Sequence, residues 1–187
     1  MELIPHRKIQ LASYLSAAFE CSSSDSDTVG RVFDDNSERS EMKNISSKSS
    51  IEIIAPASLV WEALTTPDLI KKYFLDSTAI SDWKVGGTII FEGQWQGNTY
   101  RDKGTILEMN PYKTFRYNYW SPLSGVDDRP ENYFPITYSL SETKGVTRVT
   151  ITQENISHDL MKEQTEQNWK KVLQNLKGLV ENELVTS

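Results

Sequence analysis

Thr88-Ile89-Ile90-Phe91-Glu92-Gly93-Gln94-Trp95-Gln96-Gly97-Asn98-Thr99-Tyr100-Arg101-Asp102-Lys103-Gly104-Thr105-Ile106 reads as two alternating runs about a turn signal. Successive side chains of a strand point to opposite faces, so a single turn fixes which residues share a side. With Gly97-Asn98 as a two-residue hairpin loop, Trp95 stands opposite Tyr100, Gly93 opposite Asp102, Phe91 opposite Gly104 and Ile89 opposite Ile106. That face is mainly apolar. The other face pairs Gln94 with Arg101 and Glu92 with Lys103, a solvated arrangement whose exposed ion pair contributes at most about 1 kcal/mol.

Turn signals on both sides extend this hairpin into a meander. Val85-Gly86-Gly87, Asn110-Pro111-Tyr112-Lys113 and Lys144-Gly145 punctuate strands expected near 78–83, 88–96, 99–109, 113–120, 133–142 and 146–155, with a longer loop from Ser121 to Asn132. Phe115, Tyr117 and Tyr119 carry the aromatic side onto the next strand, and Tyr138, Leu140, Val149 and Ile151 supply later inward candidates. Before the meander, Ile51-Glu-Ile-Ile54 is a strand stopped by Pro56, which lacks the ladder donor. Val60, Trp61 and Leu64 then recur at helical spacing, and Thr66-Pro67-Asp68 marks a second short helix with a threonine cap. After the meander, Ser157 is the expected cap of a long helix whose Leu160, Met161, Trp169, Val172, Leu173, Leu176, Leu179 and Val180 form one apolar stripe. The concave face of the sheet is the apolar surface that this stripe can cover.

Composition narrows the function. The chain has 187 residues, and 26 acidic against 20 basic residues give a net charge of −6 with no basic stripe, which argues against nucleic-acid binding. One cysteine, Cys21, allows no internal disulfide, and two histidines, His6 and His158, leave no multi-histidine metal site. The apolar run from Ile9 to Phe19 is interrupted by Gln10, Ser13 and Ser16 and fits neither an export signal nor a membrane span. The expected location is the cytoplasm, with no membrane insertion. Residues 1–44 form a Ser-rich extension expected to be disordered, with Met42 as an alternative start, and residues 45–184 form the domain.

Order and motifs together carry a resemblance. Ala55-Pro56-Ala57-Ser58-Leu-Val60-Trp61-Glu-Ala-Leu64-Thr65, Asp82-Trp83-Lys84-Val85-Gly86-Gly87, Gly104-Thr-Ile-Leu-Glu108 before Asn110-Pro111, Tyr117-Asn-Tyr-Trp120, Thr147-Arg148-Val-Thr150 and Trp169-Lys-Lys-Val-Leu173-Gln-Asn-Leu176 follow one another along the chain. This series resembles the START-like, or SRPBCC, superfamily in its branch of heat-shock-protein-90 ATPase activator homologues, over about Ile45 to Glu183. The resemblance implies an α+β helix-grip fold, in which a curved antiparallel sheet wraps around a long carboxy-terminal helix with two short helices after the first strand. It also implies a cavity for an apolar ligand between sheet and helix. The eukaryotic activators that named the branch carry an additional amino-terminal domain with a chaperone-contacting motif, whereas a short Ser-rich segment precedes the fold here, so chaperone contact is the weaker expectation.

Within that frame Phe91, Trp95, Tyr100, Asp102, Tyr117, Tyr119, Tyr138, Trp169 and Leu173 are the candidate ligand-binding residues. The rings either fill the core or surround a cavity in which tyrosine hydroxyls orient an apolar ligand. Asp102 either faces that interior, where burial would raise its pKa, or is turned outward by twist or a bulge near Gly104. Glu108, at its strand end, has the same two readings, and Arg101 and Arg116 belong to the solvated face. His158 beside Asp159 has the geometry of a solvated first-turn residue rather than of a general base. The reading leans away from an enzyme and assigns no catalytic residue, no metal ligand and no cofactor. Three functions compete: binding of a small hydrophobic molecule, a cyclase- or hydrolase-type reaction using a polar pair such as Asp102 with a tyrosine hydroxyl, and contact with a partner protein. A filled interior would favour the third.

Overall fold

The computed structural model describes residues 45–95 and 97–185, apart from the side chains of Trp95 and Asn98. The expectations for residues 1–44 lie outside the described residues. Strand β1 (Ile45–Ile53) leads to helices α1 (Ala57–Thr65) and α2 (Pro67–Tyr73). Six strands follow: β2 (Thr78–Ser81), β3 (Thr88–Trp95), β4 (Asn98–Asn110), β5 (Thr114–Tyr119), β6 (Phe134–Thr143) and β7 (Val146–Ile156). The long helix α3 (Asp159–Leu179) then continues as a π-helical turn over Val180–Leu184. The strands form one antiparallel sheet in the order β1-β7-β6-β5-β4-β3-β2, so α1 and α2 carry the chain from one edge to the other and the meander returns it. This is the helix-grip fold.

The terminal helix grips the sheet through the stripe that its sequence spells. Met161, Thr165, Trp169, Val172, Leu173, Leu176 and Leu179 are buried, and Trp169 is 0% exposed. Its indole donates to Gln153 Oε1 on β7 at 2.9 Å, so the one polar atom of this core tryptophan is satisfied. Against β1 the helix meets small polar residues: Ser47 and Ser49 are buried, and Ser49 Oγ donates to the Glu166 carbonyl. Small side chains there let helix and strand approach closely. They also hide the first half of β1, which begins at Ile45 rather than at Ile51, since serines at the inward positions give no hydrophobic alternation to read.

Several local expectations are corrected. In the decisive hairpin Trp95 pairs with Asn98, and Gly97 takes the left-handed conformation with φ 84°. The register therefore moves by two residues, to Gly93 opposite Tyr100, Phe91 opposite Asp102 and Ile89 opposite Gly104. A two-residue shift leaves every side chain on its own face, so Phe91, Tyr100 and Asp102 are inside as the first of the alternatives for Asp102 requires. On the outer face Glu92 now opposes and ion-pairs with Arg101. The bulge falls between Ile106 and Glu108, beyond Gly104, and leaves Glu108 exposed. Gly104 serves a different purpose: a Cβ there would lie 1.7 Å from the Asn118 carbonyl oxygen, so only glycine lets β4 and β5 cross so closely.

Helix caps differ as well. His158, not Ser157, is the amino-terminal cap of α3, and its Nδ1 accepts from Met161 N–H at 3.1 Å. That starts the helix one residue later and leaves Leu160 exposed at 62%, off the apolar stripe. The Thr66 hydroxyl makes no capping bond to α2. At α1 the cap comes from elsewhere in the chain, because Glu142 of β6 accepts from Ala57 N–H at 2.8 Å and places a carboxylate at the positive helix end.

Candidate functional site

The apolar faces of β3, β5 and β6 meet the short helices on the side of the sheet away from β1. Ile89, Phe91, Phe115, Tyr117 and Tyr138 rise from the sheet, and Leu64, Ile70, Tyr73, Phe74 and Trp83 close over them. Between the two groups lies a small void of about 10 Å³, room for roughly one water molecule. The rings around it touch in series: Trp83 to Phe115 at 6.0 Å between centroids, Phe115 to Tyr117 at 5.2 Å, Phe91 to Tyr117 at 5.7 Å and Phe74 to Phe91 at 5.3 Å. Such tilted pairs add about 0.5–1.5 kcal/mol each beyond area burial, so the interior is nearly filled by its own side chains.

Trp83 is the exception in this wall. It is half-buried and takes φ 55°, a left-handed conformation that is uncommon for a bulky residue. The Ser81 hydroxyl holds it there by accepting Trp83 N–H at 3.0 Å. Leu75 and Asp76, which follow α2, are also left-handed, with φ 58° and 61°. Unusual backbone therefore stands on both sides of β2, at the two ends of the segment that covers the void.

Burial pushes the Tyr73, Tyr117 and Tyr138 hydroxyls well above the ordinary phenol value, so they are neutral donors at any physiological pH. Next to them on the same faces lies a polar group. Asp102 is 3% exposed, and its Oδ2 accepts from the Tyr119 hydroxyl at 2.5 Å. Asp102 Oδ1 is enclosed and has no hydrogen-bond partner. Burial is the larger influence on this carboxyl and raises its pKa, while the nearby Ser121 and Tyr119 hydroxyls oppose the rise. Tyr100, two residues earlier on β4, packs over Gly93 and shares a 2.6 Å hydrogen bond with Ser77. An unmade bond at a buried polar atom costs about 1–3 kcal/mol.

The nine candidate residues thus divide. Phe91, Tyr117 and Tyr138 border the void; Tyr100, Asp102 and Tyr119 belong to the polar group beside it. Trp169 and Leu173 are buried outside the void's wall, Trp169 lying edge-on to Tyr138 at 6.0 Å and stacked on Phe74 at 6.3 Å. The Trp95 side chain lies outside the described residues. Sequence reasoning missed the cover: Tyr73-Phe74 at the end of α2 and Trp83 before the Gly86-Gly87 turn were visible as aromatic residues at element ends, but nothing in their spacing says that they fold back over β5. It also missed Ser77 and Ser121, which are buried beside the polar pair. Arg101 pairs with Glu92 and Arg116 with Glu154 on the outer face, and the capping bond of His158 occupies its Nδ1. Among the described residues no group of three His, Cys, Asp or Glu side chains could hold a metal ion, and no helix is long and apolar enough to cross a membrane.

Comparison with known proteins fits this architecture. A solution structure from Cytophaga hutchinsonii, ChR145, is 39% identical over 78% of this chain and 99% of its own, with a TM-score of 0.68. The Aha1 dimer from Colwellia psychrerythraea is 22% identical over 74% of this chain and 97% of its own, with a TM-score of 0.58. DynU16, a protein of the dynemicin biosynthetic locus, is 15% identical over 73% of this chain and 47% of its own, with a TM-score of 0.61. The last two likenesses show the fold alone. No curated protein matches the sequence. The family model described as "Activator of Hsp90 ATPase homolog 1-like protein" matches residues 54–181, from the end of β1 to the carboxy-terminal turn, and the chain belongs to that family.

Proposed function

We propose that this domain binds a small, largely apolar molecule between the sheet and the segment formed by α2, β2 and the Trp83 turn. The observation that carries the reading is the position of Trp83: a half-buried indole in a left-handed conformation, packed on Phe115 beside a gap in the aromatic wall. The void itself admits about one water, so a ligand must displace a side chain. Trp83 is the least enclosed ring of the wall, and its release would vacate a space of bicyclic size. Backbone strain of the order of 1–3 kcal/mol per residue, held in place by neighbouring bonds, is a recurrent feature of clamps and switch segments.

The same reading takes residues 45–184 as the folding unit, supported by the family match inside those limits, and places the protein in the cytoplasm, supported by a single cysteine that can form no internal disulfide. Native mass spectrometry of the full chain purified from cells tests the binding. A fraction carrying a small-molecule mass that is lost on denaturation supports it. A bare mass, together with no saturable change in tryptophan fluorescence on adding naphthalene, ends it. A second reading, contact with a partner protein, is favoured by the nearly filled interior; it gains if both binding measurements fail.

A further inference from the structure

We infer that Asp102 is the polar anchor of this site, and that the ligand it selects is an apolar ring compound carrying one hydrogen-bond donor, a hydroxyl or an amine. The inference rests on the binding reading above and goes beyond it by naming the chemistry recognised.

Three observations carry it. Asp102 Oδ1 is enclosed and unpartnered, whereas the carboxyl's other oxygen is held by Tyr119. Buried polar atoms in folded proteins are nearly always paired, so an acceptor left open in an interior marks a place where a donor belongs. Its position is adjacent to the void. Phe91, the cross-strand partner of Asp102, borders the void, and so does Tyr117, two residues before Tyr119 on the inward face of β5. Two residues along a strand span about 7 Å, the length of a two-ring molecule. Finally, the rest of the pair's surroundings is committed. The Tyr100 hydroxyl is bonded to Ser77, and the nearby Ser121 hydroxyl, which accepts from Leu123 N–H, makes no hydrogen bond to Oδ1.

A site made only of rings would bind naphthalene better than 2-naphthol, because the hydroxyl loses its water without gaining a partner. With Oδ1 as acceptor the order reverses. Titration of the full chain with both compounds, followed by tryptophan fluorescence, should show 2-naphthol binding about tenfold more tightly than naphthalene. Asp102→Ala should reduce that preference to about twofold or less while naphthalene still binds. Tyr119→Phe, which keeps the carboxyl and frees its second oxygen, should retain the preference. Equal binding of the two compounds by the unaltered protein overturns the anchor and leaves the binding reading standing. A preference that survives in Asp102→Ala also overturns it, as does a bound water that holds Oδ1 in a crystal structure with 2-naphthol present. Failure of both compounds to bind removes the binding reading and the anchor together.

Discussion

The two halves of the sheet are covered in different ways, and the difference separates what holds the fold from what can act. Under α3 lie β1, β7 and the neighbouring part of β6. There Ile53, Val149, Ile151, Trp169 and Leu176 are fully enclosed and the Trp169 indole is bonded to Gln153. Across β3, β4 and β5 the cover is a seven-residue helix, a four-residue strand and a turn, with left-handed backbone at Leu75, Asp76 and Trp83, a water-sized void and an open carboxyl oxygen. A two-turn helix has little stability of its own and relies on what it packs against. On this contrast the α3 half is expected to carry more of the stability, and the other half is the part whose local opening the proposed binding requires.

The sharpest way to break that contrast is at Trp169. Trp169→Ala removes a fully buried indole that touches Phe74 and Tyr138 and leaves Gln153 without its donor. The expected loss is about 3–5 kcal/mol, measured by urea unfolding. A loss below about 1 kcal/mol would mean that α3 is not the anchor of the fold.

A smaller and pH-dependent effect is expected at Asp102. Burial raises its pKa above the unfolded value of 3.8, so the folded chain holds this proton more tightly than the unfolded one. Its contribution to stability is thus fully present below the unfolded pKa and is lost as pH rises through the folded one. Among the groups facing it, Tyr119 is driven up by burial and by the Asp102 charge, and Tyr100 is also raised, so neither ionises in the acid range. Glu181, which is held below its usual value by Ile54 N–H and Lys177, acts with the opposite sign elsewhere in the molecule. Comparing Asp102→Asn with the unaltered protein cancels that background. The variant's relative melting temperature should climb as pH rises above the unfolded value of 3.8, and a pH-independent difference would show that the carboxyl titrates as an exposed one does.

How much of this was legible follows the same division. The α3 stripe could be read because Met161, Trp169, Leu173 and Leu176 recur with a helical period and nothing interrupts them. The face carrying Phe91, Tyr117 and Asp102 could be read because alternation survives an even shift of register, even though the hairpin turns one residue before Gly97-Asn98. Parity is robust where pairing is not. The first half of β1 was hidden because its inward residues, Ser47 and Ser49, suit close approach by a helix and carry no hydrophobic signal. The cover of the void was hidden for a different reason: Tyr73, Phe74 and Trp83 sit in short elements, and only tertiary packing decides that they turn towards Phe91 and Phe115. The orphaned Oδ1 depends on where Tyr119 and Ser121 place their hydroxyls, which is a matter of side-chain geometry rather than of pattern.

A smaller effect on stability than at Trp169 should come from Trp83, although it is the same residue type. Its indole is less enclosed, so Trp83→Ala should cost about 2 kcal/mol. Alanine also leaves the space beside Phe115 open without any displacement. Naphthalene should consequently bind Trp83→Ala more tightly than the unaltered protein, because the cost of moving the indole no longer opposes binding. Denaturant unfolding and probe titration of the same variant read the two quantities together. A variant that loses as much stability as Trp169→Ala would show that both covers are structural. One that loses little and gains no affinity would show that ligand entry, if it occurs, lies away from the Trp83 turn, and the contrast between the two halves would then rest on packing alone.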